Sequence, residues 1–208
     1  FLPESLVREI EYLEKTDKEF WKIYGLGEYG NISGLVYENV KYIDTIPDCK
    51  LVAYGLDFGY SQDPTAVVGV YKRGDDLYLR EILYERGLTN QDIAERLRFI
   101  VNNEEVICDS AEPKSIEELY RLKINARPAV KGKDSIMNGI DILKRYKINV
   151  LKDNSNLRKE FRMYKWMVDK NGNSLNKPLS RFNHLMDALR YVALIHLRQH
   201  KRGWYAIR

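Results

Sequence analysis

Leu51-Val52-Ala53-Tyr54-Gly55-Leu56-Asp57-Phe58 is an apolar run that closes on a single carboxylate. Its length and composition predict a buried strand. An ionised carboxylate among apolar neighbours is costly to bury unless it is paired or holds a cation. Asp57 is therefore the residue from which the chemistry is read. Downstream, Thr65–Tyr71 and Leu77–Tyr84 predict two further strands, joined by the turn Lys72-Arg73-Gly74-Asp75-Asp76. Thr89 with Asp92 is a capping pattern for a helix whose apolar face is Ile93, Leu97, Ile100 and Val101. Val106-Ile107-Cys108 is a short fourth strand. A helix over Pro113–Leu122, a strand at Ala126–Val130 and a helix over Ser135–Tyr146 follow, the last with Ile136, Ile140 and Leu143 inward.

Phe161–Val168 and Ser174–Lys177 read as strands flanking Asp169-Lys170-Asn171-Gly172-Asn173, where Asn-Gly signals a hairpin turn. A closing helix runs from about Asn183 to Gln199. Three antiparallel strands, then alternating helices and strands, then a helix describe an α/β mixed sheet flanked by helices. That is the element order of an RNase H-like fold, here with an added β-hairpin. Residues 1–48 read as a lead-in: a helical stretch from Pro3 to about Tyr24, a junction broken by Gly25, Gly27, Gly30 and Gly34, and a short strand near Leu35–Ile43. The main domain is expected over residues 49–208.

The 208 residues are 44% hydrophobic and 31% charged, the composition of an ordinary globular chain. No apolar run approaches the ~18 residues of a membrane span, and no secretory signal opens the sequence. Phe1 followed at once by helix-like sequence is the pattern expected of a piece of a longer polypeptide. Cys49 and Cys108 are too few for a disulfide framework and neither sits in a CxxC pair, which fits a reducing cytoplasm. Net charge is +4, unevenly spread. Residues 1–50 carry 6 Lys+Arg against 10 Asp+Glu, whereas residues 151–208 carry 13 against 4, a balance of +9. Such a basic third suits a polyanionic partner.

Asp57 has two candidate companions. Asp109 follows the fourth strand directly, and Asp187 lies in the closing helix with His184 at i−3, on one helical face. Three carboxylates on separate elements can share magnesium or manganese, and phosphodiester cleavage often uses two such ions ~3.5–4 Å apart. Taken singly, Asp109 could merely cap the next helix and Asp187 could be a surface residue. No serine or cysteine has a recognisable base partner, and Cys108 reads as a core residue.

Asp57-Phe58-Gly59-Tyr60-Ser61-Gln62-Asp63-Pro64-Thr65-Ala66 resembles the first nuclease motif of tailed-bacteriophage terminase large subunits, and Asp109-Ser110-Ala111-Glu112-Pro113 resembles their second. Lys131-Gly132-Lys133-Asp134-Ser135-Ile136 with Gly139-Ile140 is similar to a further family segment. Asn183-His184-Leu185-Met186-Asp187-Ala188-Leu189-Arg190-Tyr191 is similar to the closing motif, and Tyr24–Gly30 to the junction between motor and nuclease. The resemblance implies an RNase H-like endonuclease that uses Mg²⁺ or Mn²⁺ to cut concatemeric double-stranded viral DNA in the host cytoplasm during packaging. It further implies an ATPase domain, a portal and a small terminase subunit as partners. By position, Asp57 would bridge two metals, Asp109 would bind one, and Asp187, His184 or both would complete the set. Many members carry Asp where Asn183 stands here. No GxxxxGK[ST] loop is present, so no ATP site is expected in this chain.

Lys131, Lys133, Arg158, Arg162 and Lys165 are the candidate DNA contacts. If Arg162, Tyr164 and Trp166 lie on a strand they share one face, although Trp166 by its type belongs more naturally in a core. Two other classes of function stay open on sequence: a Holliday-junction resolvase or ribonuclease of the same fold, and a non-catalytic module that binds DNA or the portal. The metals would also offset repulsion within the acid cluster, so removing the charge of Asp57 or of Asp109 is expected to be neutral or mildly stabilising without metal.

Since no base-reading motif accompanies the basic third, DNA binding is expected to be electrostatic and indifferent to sequence. Affinity should then fall by roughly 0.9 logarithmic units per phosphate contact for each tenfold rise in salt. Filter binding across a salt series checks this, and a flat profile or a strong preference for one sequence over its scrambled form would refute it.

Overall fold

Parity along the strands decides what faces what. The computed structural model describes residues 34–169 and 173–198, together with Val7, Glu11, Trp21 and Leu26. Strand β1 spans Val40–Ile43, β2 Lys50–Asp57, β3 Thr65–Arg73 and β4 Asp76–Glu85. Helix α1 (Asn90–Val101), β5 (Val106–Cys108), α2 (Pro113–Arg121), β6 (Ala126–Pro128), α3 (Ser135–Leu143), β7 (Lys147–Leu151) and α4 (Ser155–Met163) follow. A hairpin of β8 (Trp166–Val168) and β9 (Ser174–Pro178) precedes α5 (His184–His196). Seven strands form one sheet in the order β1-β7-β4-β3-β2-β5-β6, and β8 pairs only with β9. β2, β3 and β4 are mutually antiparallel, while the flanking pairs β4–β7, β7–β1, β2–β5 and β5–β6 are parallel. This is the RNase H-like mixed sheet with its added hairpin.

Both faces of the sheet are covered, so its central strands are apolar at successive positions instead of alternating. Ala53 and Ile107 belong to one core, with residues of α3, α4 and α5. Tyr54, Leu56, Val106 and Cys108 belong to the other, with residues of α1 and α2. Because side chains alternate with a period of two, Gly55 and Asp57 share the α5 face with Ala53, and Asp109 shares it with Ile107. Gly55 is where α5 comes closest: a Cβ there would lie 2.0 Å from the carbonyl oxygen of Ala188. A glycine with no need of positive φ is thus required by the helix lying on it.

Several expectations shift. The chain divides into compact units Phe1–Leu35 and Val36–Arg208. The sheet domain begins at Val36 and not at residue 49, because Val36 and Tyr37 are core residues and β1 pairs with β7. Strand β7 has no counterpart in the sequence reading. Residues Phe161–Met163 end a helix and do not begin a strand, so Arg162, Tyr164 and Trp166 share no strand face. Ile136 is 42% exposed, whereas Ile140 and Leu143 are inward as expected. The Thr89–Asp92 capping box forms with both reciprocal hydrogen bonds. The helix expected up to Tyr24, the Tyr24–Gly30 junction and the Lys170-Asn171-Gly172 turn fall largely or wholly outside the described residues, as does Gln199.

Gly55→Ala is expected to force α5 off β2 and to destabilise the domain by at least about 1–3 kcal/mol, the usual cost of overpacking. Urea unfolding of the variant measures this; a midpoint equal to the parent's would mean that α5 does not rest on Gly55.

Candidate active site

Parallel pairing of β2 with β5 aligns Leu56 with Cys108. The next residue of the chain in each case is an aspartate, so Asp57 and Asp109 emerge side by side at the C-terminal ends of neighbouring interior strands, about 4.8 Å of strand spacing apart. Helix α5 lies across those ends. His184, Ala188 and Tyr191 follow the i, i+4, i+7 spacing of one helical face, with Ala188 seated on Gly55. The Tyr191 hydroxyl lies 3.1 Å from Asp57 Oδ1 and 3.0 Å from Asp109 Oδ2, and so spans the pair. His184 Nδ1 is 3.2 Å from Asp57 Oδ2. On the ring's other side, Nε2 is 3.7 Å from Asp63 Oδ1.

Asp63 reaches the imidazole because the loop after β2 is folded tightly. The Thr65 hydroxyl donates to the Gly59 carbonyl at 2.9 Å, and any Cβ on Gly59 would lie 2.4 Å from the backbone of Asp63 and Pro64. Asp109 Oδ1 accepts from the Ala111 N–H at 2.8 Å and from the Lys131 ammonium. Asp109 thus does shape the entry to α2, as a helix-start reading would have it, while also standing in the pair.

The two carboxyls are held differently. Burial raises the Asp57 pKa, with the charge of Asp187 adding to it, and the His184 and Tyr191 hydrogen bonds only partly offset the rise. Burial also opposes ionisation of Asp109, but Lys131, the Ala111 N–H and Tyr191 outweigh it and bring that carboxyl below the usual range. Burial would lower the pKa of His184; Asp57, hydrogen-bonded to the ring, reverses this and leaves it raised. Asp187 points elsewhere. Its Oδ1 takes both Nε and Nη2 of the buried Arg190, at 3.2 and 2.8 Å, and its Oδ2 takes the Asn183 amide at 2.8 Å. Arg190 in turn fills the space over Gly139, where a Cβ would lie 2.2 Å from its Cγ. Among the described residues no three acidic, histidine or cysteine side chains are grouped closely enough to close around one ion.

Of the candidate DNA contacts, only Lys131 reaches the carboxylates. Lys133 is exposed on the same loop. The guanidiniums of Arg158 and Arg162 both lie 5.3 Å from the centre of the Tyr42 ring on β1, which three strands separate from β2. Lys165 is only 6% exposed, so it is not a surface phosphate contact. Trp166 packs against the core, with the Lys144 ammonium 5.0 Å from its ring centre.

Glu160 was missed in the sequence. It is 1% exposed, yet its Oε2 accepts the Leu185 and Met186 N–H groups at 2.8 and 3.1 Å and its Oε1 lies 3.1 Å from the Tyr84 hydroxyl. A buried acid on α4 therefore caps the first turn of α5, the turn that carries His184, and favourably meets the positive end of that helix. Its signal in the sequence is the i, i+4 helical spacing of Leu157 and Phe161, which the strand expected from Phe161 onward obscures. Burial pushes the Glu160 pKa up to about 7.

Comparison with known proteins follows the same residues. The family model described as a terminase RNase H-like domain matches residues 57–193. The chain is 30% identical over 209 residues to the terminase large subunit of Bacillus phage SPP1, across 92% of this chain and 49% of that protein. It is 28% identical over 205 residues to the PBSX phage terminase large subunit of Bacillus subtilis strain 168, across 92% of this chain and 47% of that protein. The chain spans about half the length of these curated relatives. The nuclease domain of the bacteriophage SPP1 large terminase, solved with bound manganese, superposes with a TM-score of 0.68 at 27% identity, covering 76% of this chain and 97% of that one.

A carboxyl whose pKa is raised by folding stabilises below its unfolded value and loses that contribution as pH rises through the folded value. Relative to Glu160→Gln, the parent should therefore lose stability between the unfolded carboxyl range and about pH 7, by on the order of 3 kcal/mol at most. Urea midpoints for both proteins across that window measure the difference. A difference that does not change with pH would mean that Glu160 titrates as an ordinary surface acid.

Proposed function

The chain belongs to the terminase RNase H-like domain family, and on that premise we propose that it is a divalent-metal-dependent endonuclease cutting concatemeric double-stranded viral DNA during genome packaging. The observation that carries this reading is the register-matched pair Asp57 and Asp109 under Tyr191 and His184. The donors suit magnesium or manganese: carboxylate oxygens serve either, and the imidazole favours manganese. Asp57 and Asp109 would hold the metal, as one ion or two, and His184 beside Asp57 would join as third donor as the side chains draw in, since as they stand the three do not close around one ion. When bound, the metal would supply a water of lowered pKa and neutralise charge developing on the phosphate. Asp187, proposed from sequence as a ligand and catalytic residue, is better placed to act through Arg190 and Asn183, and this favours His184 as the third donor.

The chain's own groups divide the remaining work. Glu160 fixes the start of α5, and with it the ring of His184. The Tyr191 hydroxyl keeps the two carboxylates in register. Lys133 and, once free of Asp109, Lys131 meet DNA phosphates at the mouth of the site. Residues before Val36 lead, in this reading, from an ATPase motor, and the portal and small terminase subunit join in the full machine within the host cytoplasm. No helix among the described residues is long and apolar enough to cross a membrane.

Asp57→Asn and Asp109→Asn should each lower cleavage of linear duplex DNA in Mn²⁺ by ~100-fold or more, the scale of losing one transition-state-stabilising group, because each takes away a carboxylate that would hold the metal. Excess chelator should abolish it. Their stabilities should differ: with metal absent at neutral pH, Asp57→Asn is expected to be neutral or stabilising, and Asp109→Asn destabilising, since it gives up Lys131. This corrects the expectation from sequence, which treated the two alike. Wild-type cleavage by either variant, or a marked preference for four-way junctions or RNA–DNA hybrid over linear duplex, would overturn the assignment. So would undiminished DNA binding with no cleavage in any metal.

A further inference from the structure

All four oxygens of the Asp57–Asp109 pair lie within hydrogen-bond reach of a donor group, with one hydroxyl shared between two of them. Asp57 takes Tyr191 on Oδ1 and His184 on Oδ2. Asp109 takes Tyr191 on Oδ2, and the Ala111 N–H and the Lys131 ammonium on Oδ1. A phenol carries one proton, so Tyr191 donates to one aspartate at a time. His184 and the Ala111 N–H are fixed by their own elements, α5 and the turn before α2. Lys131 differs from these in two respects. It carries a full charge on a flexible four-carbon stem, and its side chain is 32% exposed, in the loop between β6 and α3. Its ammonium also stands 5.1 Å from the centre of the Tyr191 ring, so that the same charge faces both the carboxylate and the bridging aromatic.

We propose that Lys131 is a tethered counter-cation of the active site: its ammonium occupies the Asp109 oxygen that a divalent ion would need, and metal loading displaces it toward the DNA phosphate. The inference rests on the metal-dependent reading above and assigns Lys131 a role distinct from that of a plain phosphate contact. Two carboxylates at neighbouring strand ends beneath α5 repel each other, and a monovalent ammonium relieves part of that repulsion. A divalent ion relieves more, and so wins the oxygen, but it must first expel the lysine. The exchange couples loading to DNA engagement, since the displaced charge remains tethered at the mouth of the site. An arginine would serve poorly here, because its planar fork would grip the carboxylate with two bonds and leave less readily.

The test is Mn²⁺ binding alone, without DNA, followed by calorimetry and by the electron paramagnetic resonance of free Mn²⁺. Lys131→Met should bind Mn²⁺ at least threefold more tightly than the parent, and Lys131→Ala should do the same, so that the effect is not tied to one side chain. With saturating Mn²⁺ both variants should cleave duplex DNA more slowly. Lys133→Met, on the same loop but away from Asp109, should leave Mn²⁺ affinity unchanged. Unchanged Mn²⁺ affinity in the Lys131 variants would reduce the residue to a phosphate contact, and weaker affinity would make it a structural support of Asp109; either overturns the proposal. Asp57→Asn in the same assay separates this failure from failure of the metal reading. If that variant binds Mn²⁺ as tightly as the parent, the metal site itself has been misassigned and the inference falls with it.

Discussion

Parallel pairing of β2 with β5 places two carboxyls at neighbouring strand ends, and most of the surrounding structure serves to make that tolerable. Neither carboxylate can be moved without breaking the register, because Leu56 faces Cys108 in a core that excludes water. The groups hydrogen-bonded to the pair are accordingly donors or a cation: Tyr191 across the pair, His184 on Asp57, Lys131 and a backbone N–H on Asp109. The compensation is unequal. Asp109 has the ammonium and is stabilised as an anion, whereas Asp57 is the more deeply set and has its ionisation opposed. In the proposed reading, an asymmetric pair of this kind would favour a dication.

The donors must arrive from one direction, and α5 brings them. Its position is set at both levels of packing: Gly55 lets the helix backbone descend onto β2, and Glu160 caps its first turn from α4. Asp187 and Arg190 then lock its flank against Gly139 of α3. A buried acid, a missing side chain and a buried ion pair thus act on one helix. None of the three touches the site pair, yet each controls where His184 and Tyr191 stand.

What the sequence revealed was what local chemistry encodes. The central strands, the capping box at Thr89 and the two strand-end aspartates were readable because apolar runs, turn residues and caps are short-range signals. The tight loop after Asp57 was visible as a motif, although its purpose of presenting Asp63 to His184 was not. Long-range pairings stayed hidden. Glu160 looks like one more surface acid in a basic helix until α5 is folded onto it, and β7 was passed over because its five residues carry no turn signature of their own. Parity also misled in one place: His184 and Asp187 do share a turn, but the sheet meets the helix along His184, Ala188 and Tyr191, which leaves Asp187 to Arg190.

The basic C-terminal third shows why net charge along a sequence is a weak guide to a binding surface. Its balance of +9 is real, but several of its cations are engaged by groups of the protein itself. Arg190 neutralises Asp187, Lys152 pairs with Asp44 at 3.0 Å, Lys165 is buried, and Arg158 and Arg162 stack on Tyr42. The ammonium that contacts the pair, that of Lys131, comes instead from the loop between β6 and α3, outside that third, where the charge count gave no special weight. A polyanion drawn to this protein would therefore feel a diffuse attraction from one end of the sheet and a sharp one at the mouth of the site. In the proposed reading the first can slide and carries no register, whereas the second would hold a phosphate against Asp57 and Asp109. Positioning for chemistry would then fall, among the described residues, to the Lys131–Lys133 loop, with the basic third helping to keep the duplex nearby.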